Sequence, residues 1–339
     1  MSTTFNGVTG DRQEHFCTMF DSQFLVHGLA LHASLHRHCP HAVLWVVCLD
    51  RQTQDALDTL RLPSLRTIPL SELETPELRA LRRDRTDREY YWTLTPHLFD
   101  AVFNRAPAAS RVTYLDADLY FFQSPTALLD RMTSEHNALL THHAYAPQYD
   151  QSATSGPFCV QFVSVRRTPQ GRAAAQWWRD RCNEWCYARF EDGRFGDQRY
   201  LEEWPRMLGD SLLVINNPEW TGAPWNACLA DDRAGEAWRP VFFHFHGCRH
   251  LSDDRVLLFP LNPWTYKLGP KAHRLYEAYI EAIRRSNRAL RGAGISVRGM
   301  DTPPGLEDFD PWPTVLRRFG RLVKRRLQPA SRRPIVSIR

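Results

Sequence analysis

Continuous apolar runs alternate with helical patterns through about the first 120 residues of this chain. Residues 15–20 and 42–50 are almost uninterrupted apolar runs, which is typical of strands buried on both faces. Between them, apolar residues recur at helical spacing over residues 24–35, and residues 51–61 also favour a helix. This alternation predicts an α/β fold in which a mostly parallel central sheet is flanked by crossover helices.

Acidic residues stand where several of these strands are predicted to end. Asp21 and Asp50 close the first two apolar runs, and Asp116 and Asp118 fall where the run 111–122 passes from a strand into a loop. Ligands on sheets of this kind bind outside the carboxyl ends of the strands. The sequence therefore predicts a binding site at the sheet edge that these carboxylates share.

The rest of the chain follows a less regular pattern of elements. Further strands are predicted over residues 66–70, 158–167, 211–216 and 240–247. Further helices are predicted over residues 89–103 (with an irregular start at Pro96), 171–190, 195–205 and 271–290. The third of these helices is expected to start at Asp197 and stop at Pro205, and the fourth leads into a C-terminal helical extension.

The composition is that of a soluble globular enzyme, with 43% hydrophobic and 24% charged residues. The first residues show no basic stretch followed by an apolar one, and no apolar run has the length of a membrane span, so we expect a cytoplasmic protein. The eight cysteines contain no Cys-x-x-Cys pair and are expected to be reduced.

Net charge is unevenly distributed. The chain carries +5, but the residues after Asp310 include nine basic and no acidic side chains, so the rest is mildly acidic. We divide the chain into a globular domain (residues 1–291), a linker with Pro and Gly (292–313) and a basic amphipathic tail (314–339). The tail is expected to lie on the inner face of an anionic membrane, to pack on the domain, or to stay solvated. The acidic body argues against a nucleic-acid partner, and the oligomeric state is left open.

Residues 114–122 (YLDADLYFF) place an Asp-x-Asp pair in apolar surroundings. On an extended backbone, residues two apart point to the same side, so the carboxylates of Asp116 and Asp118 are expected to converge. Converging charges in apolar surroundings need a cation, and oxygen ligands suit Mn²⁺ or Mg²⁺. Two solvated carboxylates in a loop are one alternative. A phosphatase of the haloacid-dehalogenase type is another, but it expects Thr or Val where Tyr120 stands.

Two further groups of residues carry chemistry. His244 and His246 are expected on one face of a strand, where an imidazole is a suitable third metal ligand beside two carboxylates. Two hydrogen-bonded core histidines are the alternative. Asp197 and Gln198 follow Gly196 at a predicted helix start, where an acid also serves as an ordinary cap.

Four blocks, in this order, resemble one family: FCTMFDSQFLVHGLALHASL (16–35), YLDADLYFF (114–122), FGDQRYLEEWP (195–205) and FHFHG (243–247). With them the chain resembles GT-A-fold glycosyltransferases of the retaining glycogenin and lipopolysaccharide-galactosyltransferase type (family eight), and more closely their uncharacterised bacterial relatives. The resemblance extends from residue 16 to about residue 270. It implies a GT-A (Rossmann-like) fold and a nucleotide diphosphate sugar as the donor.

The resemblance also implies roles for individual residues. Asp116 and Asp118 would bind Mn²⁺ (or Mg²⁺), and together with Ala117 they would contact the donor diphosphate. His244 of the motif that ends at Gly247, or else His246, would be the third metal ligand. Asp197 and Gln198 would lie near the reacting carbon of the sugar. The remaining implied donor-site residues are Thr18, Phe20, Asp21, Tyr91, Trp225, Asn226 and Gly247.

The chain departs from the family at one place. Relatives usually carry an Asn-x-Gly-type turn on the strand after the Asp-x-Asp pair, in contact with the donor sugar. Here Cys159 stands for the Asn and Gln161 for the Gly. The identity of the donor sugar is therefore left open.

Taken together, these features favour a metal-dependent glycosyltransferase. It would move a hexose from a UDP-sugar to a glycan, lipid-linked or other hydroxyl acceptor, with retention, in surface polysaccharide synthesis. A sugar nucleotidyltransferase shares the sheet architecture, but residues 21–28 supply no Gly-rich loop with Arg or Lys after the first strand. A catalytically degenerate sugar-binding or scaffold protein is the non-enzymatic alternative that Cys159 and Gln161 keep open.

Overall fold

The computed structural model describes residues 13–233, 235, 238–252, 255–258, 266–296, 299–300 and 335–337. The strands of these residues are β1 (His15–Phe20), β2 (Val43–Cys48), β3 (Leu65–Pro69), β4 (Arg111–Leu115), β5 (Leu119–Phe121), β6 (Ala138–His142), β7 (Phe158–Arg166), β8 (Leu212–Ile215), β9 (Thr221–Gly222), β10 (Phe242–His244), β11 (Arg249–Ser252), β12 (Arg255–Leu257) and β13 (Ile335–Ser337).

The α-helices are α1 (Leu25–His38), α2 (Arg51–Leu60), α3 (Leu70–Leu73), α4 (Pro76–Leu81), α5 (Asp87–Leu94), α6 (His97–Arg105), α7 (Thr126–Leu129), α8 (Ser152–Ser155), α9 (Pro169–Glu184), α10 (Trp204–Leu208), α11 (Ala227–Arg233) and α12 (Pro270–Gly292). Short 3₁₀ helices cover Arg82–Asp84, Pro147–Tyr149, Gln198–Glu203 and Gly209–Ser211.

A seven-stranded sheet forms the centre of the fold. Its strand order is β3-β2-β1-β4-β7-β6-β8, and β7 alone in this sheet runs antiparallel to its neighbours. The other pairings are parallel. Two three-stranded sheets, β5-β10-β9 and β11-β12-β13, accompany it. The predicted α/β fold, with a mostly parallel sheet flanked by helices, is confirmed.

Side chains on both faces of the central sheet are buried, as the continuous apolar runs predict. Along β1, Phe16 and Phe20 belong to one apolar cluster, which includes residues of α1 and α12. Cys17 and Met19 belong to a second cluster, which includes residues of α5, α6 and α9. The sheet therefore lies between two helical layers. All eight cysteines are free thiols.

Two predicted helices end or break earlier than expected. The helix predicted over residues 89–103 is in fact α5 and α6, separated at Pro96, whose ring nitrogen has no hydrogen to donate. The helix predicted over residues 171–190 ends at Glu184. Trp185 has extended backbone angles and buries its ring edge-on to Tyr187, with the ring centroids 5.3 Å apart. Burial of aromatic rings thus overrides the helical pattern there.

The segment predicted as a helix over residues 195–205 also differs. It begins as a 3₁₀ helix at Gln198, and Pro205 lies in the first turn of α10 instead of ending a helix. Proline is compatible with that position because the first turn of a helix leaves its N–H groups without intrahelical partners.

The basic tail (residues 314–339) is described at Ile335–Ser337 alone. These residues form β13, which pairs antiparallel with β12, so this part of the tail packs on the body of the protein. The amphipathic pattern within the tail and most of the predicted linker (292–313) lie outside the described residues. Among the described helices, none combines the length and the apolar character required to cross a membrane.

His27 is a buried histidine that connects α1 to α12. Its Nδ1 lies 2.8 Å from the Tyr279 hydroxyl oxygen, and its Nε2 accepts a hydrogen bond from the backbone N–H of His250 at 3.3 Å. Burial lowers the pKa of His27 from 6.5 to about 4. The folded protein therefore keeps this ring neutral in a pH range where the unfolded chain protonates it.

We expect the free energy of unfolding to decrease as the pH falls from about 6.5 to about 4, because the unfolded chain then binds a proton that folded His27 excludes. In His27→Gln the amide stays neutral over this range, so the decrease should be shallower, even where the variant is less stable at neutral pH. Urea midpoints of both proteins as a function of pH measure this. Equal slopes would contradict the assignment to His27.

Candidate active site

The Asp-x-Asp pair lies in a turn at the carboxyl end of β4. The backbone N–H of Leu119 donates to the carbonyl of Asp116 at 3.2 Å, and the chain then enters β5. The strand passes into a loop at the pair, as predicted, but the extended backbone from which convergence of the carboxylates was argued does not continue through the turn. The turn separates β4 from β5, and convergence of the carboxylates depends on what β5 pairs with.

The pairing of β5 with β10 brings His244 to the two carboxylates. The strands are antiparallel, with His244 opposite Leu119, and the backbone N–H of Phe245 donates to the carbonyl of Asp118 at 3.0 Å. As a result, His244 Nε2 lies 3.1 Å from Asp118 Oδ1 and 3.7 Å from Asp116 Oδ2.

His246 lies just beyond the strand that was predicted to contain it, because β10 ends at His244. Its ring is still edge-on to that of His244, with the centroids 5.4 Å apart. Asp118, His244 and His246 each offer one ligand atom, and these atoms all lie within 4.8 Å of one another. This is the one such cluster in the part of the chain that the structure describes. His244 is buried and His246 is exposed, so both histidines, and not one alone, lie near the carboxylates.

The electrostatics of the cluster are those of a carboxylate pair around a cation. Burial by itself raises the pKa of Asp118, but the charge of His244 and its hydrogen bond outweigh burial and lower that pKa. Burial, together with the charge of Asp118, raises the pKa of Asp116 against the opposing effect of His244. Burial opposes protonation of His244, yet the neighbouring carboxylates raise its pKa well above 6.5. The histidine thus acts as the counterion of the pair.

The donor set suits a divalent metal ion. Two carboxylate groups and two imidazoles offer oxygen and nitrogen ligands, which Mn²⁺ accepts readily. Converging carboxylates in a largely buried place are costly unless a cation balances them. Asp116, Asp118, His244 and His246 fit such an ion, and binding it would displace the proton from His244.

Two residues that hold the ligands were missed as site residues. The Tyr114 hydroxyl donates to Asp116 Oδ1 at 3.0 Å, and Gln161 Oε1 lies 2.8 Å from His244 Nδ1. The i, i+2 spacing of Tyr114 and Asp116 is a local signal that could have identified the first contact. No local signal connects Gln161 to His244, because they lie on different strands.

Asp197 lies in the same region as the metal-ligand candidates. It is buried, and its carbonyl accepts a hydrogen bond from the Trp178 indole at 2.7 Å. Burial and the charge of Asp116 raise the pKa of Asp197 to about 7, while hydrogen bonds from Thr95 and the backbone of Gln198 partly oppose this. The charge of Asp116 thus reaches Asp197. The side chain of Gln198 is half-buried at the start of the 3₁₀ helix.

Trp225 forms a wall beside the two histidines. Its ring centroid lies 5.4 Å from that of His244 and 5.5 Å from that of His246, and its indole N–H donates to the carbonyl of His143 at 2.8 Å. The side-chain amide of Asn226 is hydrogen-bonded to other parts of the protein. Its amide donates to the carbonyls of His143 and Thr221 and accepts from the N–H of Ala223. The structure thus gives Asn226 a role in shaping the loop.

The residues implied at the end of β1 differ in their burial. The side chains of Thr18 and Phe20 are buried. The ring of Phe20 packs so closely on α1 that a Cβ atom at Gly28 would lie 2.3 Å from it. Asp21 is half-buried and accepts hydrogen bonds from the backbone N–H groups of Gln23 and Phe24. Burial and the charge of Asp21 raise the pKa of Tyr91 to about 12.

Two arginines near the cluster were not predicted. Although part of the His246 side chain is exposed, the protein atoms packed around its ring and the charges of His244, Arg88 and Arg249 lower its pKa to about 4, against the effect of Asp118. Arg88 is exposed and Arg249 is half-buried. The sequence could have indicated Arg249, because it lies two residues after Gly247, which ends the His-x-x-Gly motif.

The fold is that of GT-A glycosyltransferases. The bifunctional glycosyltransferase WbbM superposes with a TM-score of 0.51 at 14% identity, over 83% of this chain and 52% of WbbM. The galactosyltransferase LgtC, solved with donor and acceptor sugar analogues, gives a TM-score of 0.49 at 14% identity, over 82% of this chain and 99% of LgtC.

Sequence comparison finds bacterial relatives. The chain is 27% identical to YfnF of Bacillus subtilis (strain 168), an uncharacterised protein, over 287 residues that cover 81% of this chain and 94% of YfnF. It is 28% identical to YfnD of the same organism, also uncharacterised, over 284 residues that cover 80% of this chain and 89% of YfnD. No family model matches the chain.

The ligand set can be tested by metal titration. His244→Ala should weaken Mn²⁺ binding by more than the about 10- to 100-fold that loss of an outer-shell partner costs, because it removes a buried and oriented nitrogen. His246→Ala should have a smaller effect because this ring is exposed and joins the cluster from beyond the strand. Electron paramagnetic resonance of free Mn²⁺ measures both. His136→Ala is the control, because His136 lies on a loop and hydrogen-bonds to Thr133 at an exposed place. An equal affinity of wild type and His244→Ala would contradict the assignment.

Proposed function

We propose that this chain is a metal-dependent glycosyltransferase that transfers a hexose from a nucleotide diphosphate sugar to a hydroxyl acceptor with retention. The observation that carries the proposal is the convergence of Asp116, Asp118 and His244, with Asp197 within electrostatic reach, beyond the carboxyl end of β4 in a GT-A fold. The fold alone would not support this activity, because one fold hosts many functions.

The chain's own residues hold and orient the donor end of the reaction. Asp116, Asp118, His244 and His246 supply the metal ligands, and Tyr114 holds the Asp116 carboxylate. When bound, Mn²⁺ or Mg²⁺ would neutralise the diphosphate leaving group. Arg88 and Arg249 bring two more positive charges toward this place and would favour binding of the same diphosphate.

Asp197 is assigned the second catalytic task. Its buried carboxylate would stabilise the oxocarbenium-like carbon of the sugar, as a preorganised charge in a place of low dielectric. Gln198 is the weaker candidate, since its contribution here is a backbone N–H to the carboxylate of Asp197. Retention of the anomeric configuration is the stereochemistry that the family resemblance implies.

The nucleoside would lie at the ends of β1 and β2. Asp21 follows β1 and its charge acts on Tyr91, and both side chains are partly accessible. Their hydrogen-bonding groups suit a ribose and a base, for which we propose uridine.

The acceptor is proposed to be a glycan or lipid-linked hydroxyl in surface polysaccharide synthesis, on the cytoplasmic side of the membrane. The nine basic side chains after Asp310 support contact with an anionic membrane surface.

Replacing Asp118 by Ala should decrease donor hydrolysis and transfer by more than about 100-fold, because it removes a ligand of the ion that neutralises the leaving group. Treatment of the wild type with EDTA should do the same. Asp55→Ala, which removes an exposed carboxylate paired with Arg51, is the matched control and should keep full activity. Hydrolysis of the nucleotide sugar is measured as released nucleoside diphosphate. Full activity of Asp118→Ala, or of wild type in EDTA, would refute the proposal.

A thermal-shift screen of UDP-, GDP- and CMP-sugars should identify the donor. We expect a UDP-sugar to raise the melting temperature, and to do so with Mn²⁺ but not without it, because ligand binding to the folded state alone stabilises it. A shift with nucleoside triphosphates and sugar phosphates instead would indicate a nucleotidyltransferase. No shift with any compound would favour a scaffold protein.

A further inference from the structure

Gln161 lies on β7 with 1% of its surface exposed. Both its side chain and its backbone contact the candidate site. Its side-chain Oε1 lies 2.8 Å from His244 Nδ1, and its backbone carbonyl accepts from the N–H of Asp116 at 3.0 Å. One residue therefore holds the first residue of the carboxylate turn and the histidine that faces it. The second contact follows from the antiparallel pairing of β4 with β7, which sets Leu115 opposite Phe162.

The neighbours of Gln161 determine which end of its amide faces His244. The Thr141 hydroxyl donates to the carbonyl of Cys159 at 3.5 Å, so its oxygen is left as the acceptor for Gln161 Nε2 at 3.4 Å. With the amide nitrogen directed to Thr141, the amide oxygen is directed to His244. An oxygen can only accept, so the hydrogen of this bond is on Nδ1 of the histidine.

This direction has a consequence for the other ring nitrogen. A neutral histidine with its hydrogen on Nδ1 has its lone pair on Nε2, which is the atom 3.1 Å from Asp118 Oδ1. Hydrogen bonds of this kind set the tautomer and ring orientation of metal-binding histidines. A reversed amide would leave the hydrogen on Nε2 and block that ligand atom.

We propose that Gln161 is a positioning residue that sets His244 in the Nδ1–H tautomer and thereby presents Nε2 to a divalent cation. The inference rests on the proposed metal-dependent function, and it explains what the side chain at the position of the family's Gly does in this chain. Thr141 and the Cys159 carbonyl form the outer end of the same hydrogen-bond chain.

The test compares three substitutions at Gln161 with a matched control in the same pair of strands. Gln161→Met keeps the length of the side chain and removes the acceptor, so Mn²⁺ affinity should fall by about 10- to 100-fold. Gln161→Glu keeps an oxygen toward Nδ1 and should restore affinity to within about threefold of wild type. Thr113→Val removes a buried hydrogen bond to Ser164 between β4 and β7, and it should lower the melting temperature without changing Mn²⁺ affinity.

Mn²⁺ affinity is measured by electron paramagnetic resonance, and the melting temperature is measured without metal. Unchanged affinity of Gln161→Met, or failure of Gln161→Glu to restore it, overturns the proposal. If Gln161→Met does not fold, Gln161→Asn, whose amide is too short to reach His244, decides in its place with the same expected loss.

A second readout separates this proposal from the proposed function. In metal-free protein labelled with ¹⁵N-histidine, His244 should show a slowly exchanging Nδ1–H proton, and in Gln161→Met this proton should exchange rapidly with solvent because its acceptor is gone. Wild type that shows this proton but binds no Mn²⁺ contradicts the metal-dependent function and leaves the contact intact. Wild type that binds Mn²⁺ but lacks the proton overturns the role of Gln161 alone.

Discussion

The antiparallel pairing of β5 with β10 is the contact on which the candidate site depends. It joins Leu119 to His244 across more than 120 residues of chain. The pairing is held by aromatic packing on both sides of β10. Phe242 stacks on Phe162 with the ring centroids 5.5 Å apart, and Phe243 meets Tyr276 edge-on at 5.7 Å. Because the strand is anchored on both sides, the imidazole at its end is held in place before any ligand arrives.

The buried carboxylates of the candidate site lower the stability of the fold but provide the groups that its proposed chemistry needs. Burial of Asp116, Asp118 and Asp197 disfavours their charged forms. A protein selected for stability alone would place apolar side chains here, and conflicts of this kind are expected at functional sites. His244 compensates part of the cost through its positive charge. The same cost makes the site favourable for a divalent cation, since buried carboxylates gain more from a metal than solvated ones do.

The sequence predicted elements well where one local pattern dominates. The apolar runs at β1, β2 and β7 correspond to strands within one or two residues of the expected ends. It failed where tertiary packing decides, as at Trp185, which leaves the helix to bury its ring. For the site, Asp116, Asp118, His244 and Asp197 could be chosen from residue type and resemblance. Their common location could not be derived from the local patterns, because it depends on the register of β10 against β5.

Gln161 bears on whether the chain is an active enzyme or a degenerate relative. Its departure from the family's Gly, together with Cys159 on the same strand, is the feature that keeps a scaffold protein open as an alternative. A site that is losing its function is expected to lose contacts among its polar groups. Here the departing residue instead makes two contacts, one to His244 and one to Asp116, and both groups are proposed metal ligands. The departure thus argues for a site that has been rebuilt around its ligands, and it favours the enzyme over the scaffold.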